Sequence, residues 1–82
     1  MTLKPAPVHS GVVFQRLDLP GTPLIEARPA HVVDTQNATT VAKDGTSVRT
    51  IEHLMSALAG TGVDNVQVDL TGPEVPILDG SA

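Results

Sequence analysis

Thr50-Ile51-Glu52-His53-Leu54-Met55-Ser56-Ala57-Leu58-Ala59-Gly60 is the stretch that decides the fold. Ile51, Leu54, Met55 and Leu58 recur at spacings of three and four, which predicts a helix over residues 50–59 with one apolar stripe. Thr50 stands where an N-cap belongs, because a hydroxyl there can accept from the free N–H groups of the first turn. Glu52 falls in that turn, where a carboxylate complements the helix dipole. Gly60 follows as the expected C′ residue. A single amphipathic helix must bury its stripe against another element, and the flanking sequence offers strands.

On the N-terminal side, Ser47-Val48-Arg49 reads as a short strand. Lys43-Asp44-Gly45-Thr46 is a turn, since Asp-Gly takes positive φ easily, and it joins that strand to residues 38–42 as a hairpin. His31 to Val41 is rich in Val and Thr, which favour strand. On the C-terminal side, Val66-Gln67-Val68-Asp69-Leu70 alternates cleanly, as a half-buried strand does, and Thr71-Gly72-Pro73 ends it. Residues 73–78 read as extended and Asp79-Gly80-Ser81 as a turn or a helix N-cap. Further out, Val12-Val13-Phe14 opens a strand that continues through the alternating residues 15–19 and breaks at Pro20-Gly21. Leu24 and Ile25 suit a short edge strand, and residues 1–10, with Pro5 and Pro7, read as loop. The order predicts an α+β domain with the helix packed on one face of a mostly antiparallel sheet.

Composition bounds the function. The chain has 82 residues, enough for one small domain, and its only aromatic residue is Phe14, so the core must be built of Val, Leu, Ile and Ala. Nine acidic and five basic side chains give a net charge of −4, which disfavours nucleic acid as a partner. There is no cysteine, hence no disulfide framework and no thiolate metal site. No run approaches the ~20 apolar residues of a membrane span, and the N-terminus lacks a signal-peptide core. A cytoplasmic location is the expectation.

Among the three histidines, His9 and His31 have no partner at metal-binding spacing and read as surface residues. His53 directly follows Glu52 at the start of the helix. A neutral imidazole is a good zinc ligand, and a nearby carboxylate can take a proton from zinc-bound water. The helix offers no second ligand, because Ala57 stands four residues on, and Arg49 excludes the reversed His-x-x-Glu-His pattern. Spacing alone therefore leaves two readings open. Glu52 serves the dipole beside a solvated His53, or the pair belongs to a catalytic site.

Resemblance separates them. Residues 47–60, Gly62-Val63-Asp64-Asn65-Val66, and Gly72-Pro73-Glu74-Val75-Pro76-Ile77-Leu78-Asp79-Gly80-Ser81-Ala82 together resemble the UDP-3-O-acyl-N-acetylglucosamine deacetylase family. Upstream, Leu3-Lys4-Pro5-Ala6-Pro7, residues 11–16 and Val33-Asp34-Thr35 match in the same order. The resemblance implies a zinc hydrolase that removes the acetyl group from the sugar nitrogen of UDP-3-O-acyl-N-acetylglucosamine in lipid A synthesis. It implies a fold of two similar domains, each a two-layer, ribosomal-protein-like sandwich of sheet and helix, of which residues 1–82 are part of the first. By that resemblance Glu52 is the general base, His53 the first zinc ligand, and the backbone around Asn37 and Ala38 lines the metal cleft. The remaining zinc ligands and the second domain are expected beyond Ala82, and a further first strand before Met1, so the chain alone is expected to be inactive. The competing expectation is a non-catalytic α+β module that packs on a partner.

Overall fold

Leu54 and Leu58 are buried, Ile51 is buried just ahead of them, and Met55 packs beside them, so the stripe read from the sequence is the stripe the fold uses. The helix α1 spans Glu52–Gly60 in a computed structural model that describes residues 1–34 and 39–76. It ends on Gly62 rather than Gly60. Gly62 has φ 76°, its N–H donates to the Ala59 carbonyl (3.3 Å), and the Val63 N–H donates to the Leu58 carbonyl (3.0 Å). This paired closure needs a left-handed residue two positions later than expected, and Gly60 is the last helical residue.

Two sheets flank the core. The first is four-stranded. It contains β1 (Thr2–Pro5), β2 (Val12–Arg16), β3 (Leu24–Glu26) and β7 (Val66–Leu70), in the order β1-β7-β2-β3. The second contains β4 (Val32–Asp34), β5 (Thr39–Lys43) and β6 (Thr46–Arg49), in that order. Pairing is antiparallel except between β2 and β7, which run parallel with Phe14 opposite Val68. Parallel neighbours require a crossover, and here the second sheet and α1 lie within it. The α+β class and the mostly antiparallel pairing thus hold, and the hairpin of β5 and β6 turns at Asp44-Gly45, both at positive φ.

The N-terminal segment departs from its reading as loop, because Thr2–Pro5 pairs with β7. Its residues are all exposed, so no burial pattern marks them, and Pro5 is tolerated because β1 is an edge strand. A short 3-10 helix, Pro29–His31, leads into β4.

The core gathers Phe14, Ile25, Val41, Val48, Ile51, Leu54, Leu58, Val66, Val68, Leu70 and Val75. Val75 arrives because residues 73–75 run alongside β6. The Arg49 N–H donates to the Pro73 carbonyl (2.8 Å) and the Val75 N–H to the Arg49 carbonyl (3.0 Å). Arg16, only 7% exposed, ties the two sheets together. Its guanidinium holds both Asp18 carboxylate oxygens (2.9 and 2.6 Å) and donates to the Ser47 carbonyl (3.0 Å). No helix among the described residues is long and apolar enough to cross a membrane.

Candidate active site at the helix start

The link between β6 and α1 is where the sequence and the structure part most sharply. Ile51, not Thr50, is the N-cap, and among the described residues no side chain caps the helix start. Thr50 itself has φ 63°. That left-handed conformation crowds a β-branched side chain, and a non-glycine residue holds it only where its surroundings impose it.

The imposing contacts come from β5. The hairpin register sets Thr40 opposite Arg49, which brings Thr39 to the level of Thr50. The Ile51 N–H donates to the Thr39 carbonyl (3.2 Å), and the Thr39 N–H donates to Glu52 Oε2 (3.2 Å). Two bonds in opposite directions therefore clamp the helix start to the first residue of β5. Glu52 is half-buried and held by one carboxylate oxygen, while His53, next along the helix, is exposed. A carboxylate fixed at one oxygen beside an accessible imidazole is an arrangement that can accept a proton and offer a metal ligand from the same helical turn.

The other candidates lie apart from this clamp. His9 sits at φ 71° on the rim of a shallow depression of about 270 Å³ that Ser10, Glu26 and Arg28 also line. His31 Nδ1 lies 2.7 Å from the Glu26 carbonyl. Asn65 serves the loops, its Oδ1 accepting from the Gly11 N–H (3.0 Å). Asn37 and Ala38, expected to line the cleft, lie outside the described residues, as does Asp79-Gly80-Ser81. Among the described residues no three His, Asp or Glu side chains gather as a metal site. His53 suits one corner of a zinc site by its chemistry and exposure, and the described residues do not complete the set.

Sequence reasoning missed Thr39 and the left-handed φ of Thr50. The signal for Thr39 was present in the hairpin, since pairing residues 38–42 with Ser47–Arg49 carries Thr39 to the helix start. Nothing in the sequence marks Thr50 as left-handed, because Thr is among the residues least suited to it.

Comparison with known proteins bears on the chain as a whole. A family model described as UDP-3-O-acyl N-acetylglycosamine deacetylase matches residues 1–82. A protein of Acidithiobacillus ferrooxidans named UDP-3-O-acyl-N-acetylglucosamine deacetylase is 59% identical over 80 residues, which are 98% of this chain and 26% of that protein. Proteins of the same name from Myxococcus xanthus and Thermosynechococcus vestitus are 57% and 56% identical over all 82 residues, covering 26% and 29% of their lengths. The chain thus spans about a quarter of the length of these relatives.

Proposed function

This chain belongs to the UDP-3-O-acyl-N-acetylglucosamine deacetylase family, and from that membership we propose that it forms part of an enzyme hydrolysing the acetamide of UDP-3-O-acyl-N-acetylglucosamine in lipid A synthesis. The observation that carries the reading to particular residues is the pairing of a clamped carboxylate, Glu52, with an exposed imidazole, His53, at one helix start.

Amide hydrolysis needs a water made nucleophilic at neutral pH and a proton delivered to the departing nitrogen. Glu52 takes the first role. Its carboxylate is anchored through Oε2 to the Thr39 N–H, so its orientation is set before substrate arrives. The proton leaves the water for this carboxylate as the oxygen attacks the acetyl carbon. The C–N bond then breaks as the departing nitrogen takes that proton from Glu52, giving the amine and acetic acid, which ionises to acetate. His53 would hold zinc as one of its ligands, with the others supplied by parts of the enzyme outside this chain. When bound, zinc polarises the carbonyl and lowers the pKa of its water to about 7. A catalytic zinc needs three protein ligands, so the 82-residue chain alone should be inactive.

Metal analysis of the full-length protein that carries this chain tests the His53 assignment. His53→Ala should lose most of its zinc, whereas Glu52→Ala should keep it. A His53→Ala protein with one zinc per chain would remove His53 from the ligand set.

A further inference from the structure

Backbone strain beside a reacting group points to a positioning device. Thr50 is one of four non-glycine residues with positive φ among the described residues, and the only one directly joined to the helix of Glu52 and His53. The other three, His9, Thr22 and Asp44, lie in loops away from that helix. At Thr50 the residue type opposes the conformation, since glycine or asparagine would take it with little strain.

The consequence of this φ is geometric. Arg49 is fixed on both sides, by its pairing with Thr40 and by the bonds to Pro73 and Val75. Beyond this fixed point Thr50 takes its left-handed φ, and next to it the Ile51 N–H meets the Thr39 carbonyl and Glu52 Oε2 meets the Thr39 N–H. A right-handed or extended Thr50 would send the helix start elsewhere and break both bonds.

We propose that Thr50 is a positioning residue, whose left-handed backbone, rather than its hydroxyl, holds Glu52 on the Thr39 N–H in the orientation that the reaction uses. The inference rests on the reading of Glu52 as the base. It adds a cause for that orientation and a residue outside the reacting groups on which turnover depends.

Kinetics of the full-length protein test it. Proline fixes φ at about −65°, so Thr50→Pro cannot take the left-handed φ. It should lower kcat by about tenfold or more while KM changes little, as expected when a catalytic group is displaced by a fraction of an ångström to an ångström. Thr50→Gly and Thr50→Asn accept positive φ and should keep kcat within about threefold of the parent. A proline variant with normal kcat overturns the proposal, and so do glycine and asparagine variants that fall as far as proline. Should the proline variant fail to fold, amide hydrogen exchange at Thr39 decides. Glu52→Ala should speed it about tenfold or more, and Thr50→Gly should leave it as in the parent. Unchanged exchange in Glu52→Ala overturns the clamp. Full turnover by Glu52→Gln would instead sink the reading of Glu52 as base while leaving the exchange result standing.

Discussion

Asp69 is withdrawn from solvent on the outer face of the four-stranded sheet, with a side chain only 3% exposed. It stays charged there because Gln67 Nε2 donates to its Oδ1 (2.8 Å) and Lys4 Nζ lies 2.7 Å from its Oδ2. Those contacts, Gln67 first and Lys4 second, hold its carboxyl below the usual carboxylate range. A carboxyl with a depressed folded pKa stabilises the fold fully above its unfolded value, about 3.9, and loses that contribution as pH falls through the folded value. Asp69→Asn should therefore flatten the acid side of the stability curve below about pH 4, read by denaturation at several pH values. Lys4 is more than half exposed, so Lys4→Ala should flatten it less than Gln67→Leu. Thr40 presents the opposite situation. Its hydroxyl is buried and has no hydrogen-bond partner among the described residues, so it bears a desolvation cost without return. Thr40→Val should be neutral or stabilise by about 1 kcal/mol in urea denaturation, and a clear loss would mean that the hydroxyl has a partner. Neither behaviour was legible in the sequence. Asp69 sits in an alternating strand where a polar residue is read as wet, and only the neighbouring strand explains its burial.

At the scale of elements, the apolar stripe of α1, the Asp44-Gly45 hairpin and the alternation of β7 were legible because each is a local pattern in a few consecutive residues. The pairing of β1 with β7 and the parallel match of β2 with β7 were not, because partners lie tens of residues apart and strand patterning does not name a partner. The helix ends also went astray. A threonine before a helix resembles a cap, yet Thr50 takes a left-handed φ and Ile51 is the N-cap, and Gly60 resembles a stop, yet Gly62 makes it. The join between the two sheets depends on Arg16, which the alternation of β2 alone does not single out. Its guanidinium, held above its ordinary pKa by the hydrogen bonds it donates to Asp18, links β2 to the Ser47 carbonyl on β6. Arg16→Leu should cost about 2 kcal/mol, the range for lost hydrogen bonds to a charged group, and denaturant titration reads it. A cost near zero would show that the sheets hold together by apolar packing alone.

For the molecule as a whole, an aliphatic core around one buried aromatic residue, Phe14, leaves little redundancy. Phe14→Ala should cost about 3–5 kcal/mol, a large part of what a small domain has, and show as a sharp loss of denaturation midpoint. That core supports the helix whose start bears Glu52 and His53, and the hairpin fixes Thr39 beneath it. The pair itself was legible as two adjacent residues, and its family resemblance gave it a chemical meaning. The clamp that orients it was not, because it forms between a backbone N–H and a side chain thirteen positions apart. The most direct measurement is the turnover of UDP-3-O-acyl-N-acetylglucosamine by the full-length protein, parent against Glu52→Gln, at equal zinc content. Removing a general base should lower kcat by about 10²-fold or more with zinc retained, and a Glu52→Gln protein that turns over at the parental rate would contradict the assignment.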